Sequence, residues 1–443
     1  MKKDLQLSFT DREMTPWGGM ALMSRLLKRM DFQGALQRAG VPTQGSNRGY
    51  APGQLMKQFL ISVWCGANRF EHMEVTRQEG ALRKIVGYER MAGHKAFVRY
   101  FGKFGQGTNQ RVFEQLYGWF FEQMQFDNFT LDLDSTVINR YGEQEGARQG
   151  YNPGKPGRNS HHPLLAFIAD CRMVANCWLR SGDAHTANNF TGFLEDTLNK
   201  LEGKKVGLLK ADSGFFSKEV VQYLERSERP IPYIIAARLH TGLQRMLAGH
   251  RQWLQLDDGI EVASASYESG GWGRARRLIL VRQQVKRRPK AAGKVLRLFA
   301  DDAVYRDYRY GCFITSLELP ATLVWRIYRM RADAENRIKE LKYYFGADSF
   351  NVRSFSATEA AMNFVMIAYN LMSLFRQVVL GGKVQPTLKT MRYKVFAVGG
   401  YLTKEGTTRI LKLSMAMRQR EWFSGLWGKS KSFDLPVTFS SHL

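Results

Sequence analysis

The chain has 443 residues, 44% of them hydrophobic, and a formal net charge of +25. Such a length and apolar share suffice for two or three domains with real cores, and the charge makes a polyanionic partner the expectation, because Lys and Arg release counterions from phosphates. No apolar run reaches the ~18 residues of a membrane span, the opening MKKDLQLSFTDREMTPWGG lacks the apolar stretch of a signal peptide, and the four cysteines have no CxxC spacing, so the expectation is a cytoplasmic chain with reduced thiols and no membrane partner.

Residues 1–125 read as helical, with apolar residues at helical spacing in LMKQFLISVW from Leu55 and FEQLYGWFFEQM from Phe113. Arg25, Lys28, Arg29, Arg83, Lys84, Arg99 and Lys103 are interleaved, as in a domain that binds DNA through helices or in one with a solvated basic face. Around Phe129 the period changes. FTLDLDSTV alternates Leu131 and Leu133 against Asp132 and Asp134, the pattern of a strand. A Gly-, Asn- and Pro-rich loop, GYNPGKPGRNS, occupies 150–160. Strands are predicted at 162–170 and 172–182, a helix at 188–201, a strand at 205–212, a helix at 218–227 and a strand at 232–238. This is an α/β order. Residues 239–320 read as a β-rich antiparallel insertion, built from SASYES, RRLILVRQQV, VLRLFA and VYRDYRYGCFITSL, with the basic run Lys286, Arg287 and Arg288. One helix is predicted at about 323–345 and a mostly apolar one at 357–379, before a basic, partly irregular end. The predicted divisions are 1–125, 126–238, 239–320, 321–380 and 381–443, the last a candidate for dimerisation or DNA contact.

In the helix at 323–345, Tyr328, Arg331, Glu335, Lys339 and Lys342 fall within a sector of roughly 80° at about 100° per residue. Met330, Ala334, Ile338, Leu341 and Phe345 fill an adjoining apolar sector. A carboxylate is thus held amid cations and a phenol, equipment suited to a metal ion and to phosphates. Two further segments offer carboxylates: Asp132 or Asp134, on one strand face, and Asp212, at the carboxyl end of a strand, where side chains reach a crevice in open α/β sheets. Oxygen donors from three elements suit Mg²⁺. Each also has a plainer role. Asp132 suits a strand edge, Asp212 a capped turn, and Glu335 an i,i+4 pair with Arg331 or Lys339. Asp333 and Glu340 lie off the polar stripe and are excluded as ligands.

The spacing Y-x2-R-x3-E-x6-K, standing here as Tyr328, Arg331, Glu335 and Lys342, closely resembles the signature of bacterial insertion-sequence transposases of the DDE superfamily. LDLDST fits that group's first aspartate motif and favours Asp134 over Asp132. KADSGF fits the second, with Asp212, and a β-rich insertion before the glutamate fits 239–320. The resemblance implies an α/β fold with an RNase H-like, retroviral-integrase-like catalytic core, preceded by a mainly helical N-terminal domain. It implies that Asp134, Asp212 and Glu335 hold two Mg²⁺ ions, with Mn²⁺ able to substitute. Arg331 and Lys342 would contact phosphates near the cleaved end, and Tyr328 would position the same backbone. The partners would be double-stranded DNA, as terminal inverted repeats and as target, and a second copy of the chain in a synaptic complex, in a nucleoid-associated setting. In some relatives an aromatic residue of the insertion stacks on a flipped base. Trp253, Trp272 and Trp325 are candidates, with core packing open for each. His161, His162 and His185 lie near the core but outside the expected catalytic set. A catalytically idle DNA-binding derivative and a Mg²⁺-dependent nuclease that does not join strands remain the alternative functions.

Overall fold

The computed structural model describes residues 5–439 apart from 227, 269, 285–302, 306–307 and 383. The chain forms two compact units, one from Met1–Leu116 with Glu340–Leu435, the other from Tyr117–Lys339 with Pro436–Leu443.

The second unit is built on a ten-stranded mixed sheet. Its strands are β1 (Phe129–Ser135), β2 (Leu164–Ile168), β3 (Met173–Trp178), β4 (Val206–Ala211), β5 (Tyr233–Ala236), β6 (Leu254–Asp257), β7 (Ile260–Tyr267), β8 (Arg276–Gln284), β9 (Ala303–Tyr305) and β10 (Tyr308–Thr315). The first five lie in the order β3-β2-β1-β4-β5. β1, β2 and β3 pair antiparallel, while β4 and β5 run parallel to β1. This is the α/β arrangement expected from the order of predicted elements. β1 and β2 are buried along nearly their whole length, as strands covered on both faces must be. The helices are α1 (Phe190–Lys200), α2 (Lys218–Leu224), α3 (Thr241–Gly249), α4 (Ala321–Arg329) and α5 (Ala332–Phe345), the last running from this unit into the other.

The β-rich insertion extends the core sheet. β10 pairs with β5 through Phe313↔Ala236, Ile314↔Ile235 and Thr315↔Ile234, and β8, β7 and β6 follow outward. α3 is a helix where only strands were predicted. It buries Leu243 and Leu247, a spacing too short to stand out against the surrounding β pattern. The basic run Lys286–Arg288 and the strand predicted in VLRLFA lie outside the described residues.

The other unit is helical, with Pro52–Cys65 and Phe355–Phe375 among its longest helices. Phe59, Phe101, Phe350 and Phe364 interlock there at ring distances of 4.9–6.0 Å. The segment Phe355–Leu380 is long and apolar enough to cross a membrane, yet 83% of its most apolar window is buried inside the protein, the environment of a core helix. The region after residue 380, expected to be partly irregular, holds a hairpin, Gly400–Glu405 with Thr408–Leu413, and the helix Met417–Ser432 between non-regular stretches. The hairpin turns on Gly406, whose φ of +59 suits a two-residue connection. Arg25 stacks on Trp427 at 4.0 Å and donates to Ser430, and Arg29 donates to the Phe433 carbonyl. These two N-terminal cations thus help pack the C-terminal helix of the same unit.

A candidate catalytic site at two strand ends

β1 and β4 are parallel neighbours, and Leu133 is the register partner of Ala211. The next residue on each chain is an aspartate. Asp134 and Asp212 therefore stand side by side at the carboxyl ends of adjacent parallel strands, where open α/β sheets form their crevices. Each has one oxygen fixed by backbone. Asp134 Oδ1 accepts from Ser135 N at 2.8 Å, and Asp212 Oδ1 accepts from Gly214 N at 2.9 Å, so the expected Asx-type turn is present and coexists with the site geometry. A Cβ on Gly214 would come within 2.9 Å of Thr186, which explains the glycine in SGF.

The polar stripe is rearranged. The single helix predicted at 323–345 is two helices, α4 and α5, interrupted at Met330–Arg331. Tight turns replace helical bonds here: Arg331 N donates to Tyr328 O, and Ala334 N to Arg331 O. Tyr328 and Arg331 are buried, whereas Glu335 is exposed. Met330, assigned to the apolar sector, is 56% exposed, while Ala334, Ile338, Leu341 and Phe345 are buried as expected. The cause is the pull of the interior on two side chains. Tyr328 Oη donates to the Ala211 carbonyl at 3.2 Å, and Arg331 donates to the Leu133 carbonyl at 3.0 Å. These are the carbonyls of the two register partners that precede the aspartates. Arg331 also meets Asp134 Oδ2 at 3.1 Å. The Tyr328 ring packs 4.3 Å from Phe313 on β10.

Electrostatics tie the carboxylates together. Burial raises the Asp134 carboxyl, Arg331 pulls it down, and the charges of Asp212 and Glu335 push it up, leaving it at about 6. Hard oxygen donors with unfavourable mutual repulsion are the chemistry a divalent cation relieves, and in that respect Asp134, Asp212 and Glu335 fit Mg²⁺. Among the described residues, however, no three His, Cys, Asp or Glu side chains are gathered as a metal-binding group. Arg331 is the counter-charge on Asp134 in this structure. Lys342, half-buried, lies seven residues beyond Glu335 on α5, in the part assigned to the helical unit.

Other groups around the strand ends were not legible as partners. Asp132 is fully buried opposite its register partner Lys210, with Nζ–Oδ1 at 3.2 Å, so it sits in an interior ion pair and not at a strand edge. His162 Nδ1 meets the Ala184 carbonyl at 3.0 Å and Nε2 meets Ser135 Oγ at 3.2 Å, and burial pushes its pKa down. A neutral His162 thus anchors the residue after Asp134. Arg180 gathers the carbonyls of His162, His185 and Asn188, pinning the loop that carries Thr186. Of the three tryptophans, Trp325 belongs to the apolar core beside Phe313. Trp253 lies under Arg282. Trp272 packs 5.1 Å from Phe216, four residues past Asp212.

The family model described as transposase DDE domain group 1 matches residues 1–429. No protein of curated function matches the chain. Among solved structures, a cryo-EM structure of a piggyBac transposase synaptic complex with hairpin DNA is similar, with a TM-score of 0.46 and 10% identity over 87% of this chain and 82% of that one.

Proposed function

We propose that this chain, which belongs to the transposase DDE domain group 1 family, is a DNA transposase of the insertion-sequence kind with the Tyr-Arg-Glu-Lys signature. It binds the terminal inverted repeats of its element, cleaves at the ends and joins the resulting 3′-hydroxyls to target DNA, as a homodimer in a synaptic complex in the cytoplasm. The observation that carries the reading is the pair Asp134 and Asp212, set side by side by the Leu133–Ala211 register and braced through those two residues' carbonyls by Arg331 and Tyr328.

Asp134, Asp212 and Glu335 would hold two Mg²⁺ ions, for which Mn²⁺ can substitute. When bound, such ions supply an activated water or hydroxyl and charge stabilisation at a phosphodiester. The chain's own residues do the rest. Ser135 and Gly214 N–H groups orient the two aspartates, His162 fixes Ser135, and Arg331 balances Asp134 before DNA arrives. Tyr328 and Arg331 act here as positioning residues, and Lys342 is assigned to a phosphate near the cleaved end. Trp272, beside the Asp212 turn, is the best placed of the insertion's tryptophans to stack on a base.

The test is cleavage of a duplex carrying the element's own end, in Mg²⁺, by wild type and Glu335→Gln, with free 3′-ends read on a sequencing gel. Wild type should cut at the end, and the variant should bind without cutting. The idle DNA-binding reading has one observation in its favour, the lack of a gathered metal-binding group among the described residues. Binding without cutting by both proteins would leave a DNA-binding relic or a chain that needs a partner, and would withdraw the catalytic assignments.

A further inference from the structure

The loop 136–163, between β1 and β2, carries a second site. Its sequence Lys155-Pro156-Gly157-Arg158 folds as a turn, with Arg158 N donating to Lys155 O at 3.2 Å and Gly157 at φ +75. Proline at the second position and a left-handed glycine at the third are what a type II turn requires. The turn delivers its two flanking cations to one place. Lys155 Nζ lies 5.2 Å and the Arg158 guanidinium 5.0 Å from the ring of Tyr141, and Lys155 also donates to the Tyr141 hydroxyl at 2.6 Å. Tyr141 is nonetheless 69% exposed.

The arrangement is anchored. Asn152 is buried, accepts from Lys155 N at 3.0 Å and donates to Asn139 at 2.7 Å. Asn139 belongs to the short strand Ile138–Asn139, which pairs with Ser160–His161 across the loop. The result is a concavity of about 580 Å³ lined by Arg140, Lys155, Arg158, Gln149 and Asn159 around Tyr141, with no carboxylate among its described lining residues. Arg, Lys, Tyr, Asn and Gln are the side chains that contact phosphate and sugar oxygens in protein–DNA interfaces. The volume exceeds what one small anion fills, and the loop leaves β1 after Ser135, the residue next to Asp134.

We infer that this concavity docks the phosphodiester backbone of duplex DNA, with Lys155 and Arg158 on phosphates and the exposed Tyr141 ring against the adjoining sugar. The inference rests on the transposase reading and adds a contact that the signature residues do not supply.

The experiment measures binding of the full chain to a random-sequence duplex across a salt series, for wild type, Lys155→Gln/Arg158→Gln and Tyr141→Ala. All three positions are exposed, and thermal melting checks that the variants fold. The double variant should bind with a salt slope shallower by about 2, since each lost phosphate contact removes about 0.9. Tyr141→Ala should weaken binding with the slope kept. A double variant with wild-type slope and affinity overturns the site and leaves the transposase reading intact. A wild type that binds no duplex overturns both. A parallel titration with inorganic phosphate separates the other source of the same chemistry. Phosphate binding lost in the double variant, with duplex binding unchanged, makes the concavity a small-anion site and overturns the proposal.

Discussion

Two roles are open to Arg331 and Tyr328, contacting phosphate at a DNA end or holding the site together, and their surroundings favour the second. Both are buried, and both donate to backbone carbonyls directly before the aspartates. Tyr328→Phe should lower stability by about 1 kcal/mol, the net worth of one hydrogen bond, and Arg331→Met by roughly 3–5 kcal/mol, because Asp134 is left buried without its counter-charge. Urea unfolding measures both, and neither change should alter the salt slope of DNA binding. Intact stability with a shallower slope would restore the phosphate role. The sequence offered Asp212 and the spacing of the signature, while the alternation of β1 left Asp132 and Asp134 equal and only the resemblance favoured Asp134. It gave no sign of the brace, because Arg331 reaches a carbonyl 198 residues away and no periodicity encodes such a contact.

At the scale of elements, the β strands of the core were legible, β1 from its alternation of leucine and aspartate and the others from mostly apolar runs bounded by turn residues. The α4–α5 break was not. Met330 and Arg331 are neither proline nor glycine, so local sequence favours one continuous helix, and burial of Arg331 against β1 overrides it. The loop between β1 and β2 is likewise set by a partner no motif reveals. His161 is buried, accepts from Arg140 Nε at 3.0 Å and donates to the Glu145 carbonyl. Burial first, then the Arg140 charge, pushes it down to about 4, against an unfolded value of about 6.5. The unfolded chain therefore takes up this proton first. The stability from His161 is full above about pH 6.5 and is lost as pH falls from there towards 4. His161→Gln should remove roughly 3 kcal/mol of that acid-side loss at most, seen as a flatter dependence of melting temperature on pH between those limits. An equal offset at every pH would contradict this assignment.

For the whole molecule, the +25 charge is distributed over different tasks. Arg25 and Arg29 pack a C-terminal helix, Arg331 and Lys210 neutralise buried aspartates, and Lys155 and Arg158 sit exposed around an aromatic ring. Net charge pointed to a polyanion but could not say which cations face it, since burial sorts them and burial is a property of the fold. The two-unit division is equally hidden from the sequence, because segments separated by more than 200 residues combine in the helical unit. Strand joining separates a transposase from a nuclease. A pre-cut duplex end with a free 3′-hydroxyl, a plasmid target and Mg²⁺ should give joined product with wild type and none with Asp134→Asn. Nicked or hydrolysed DNA without joined product from the wild type would contradict the transposase account and identify a nuclease.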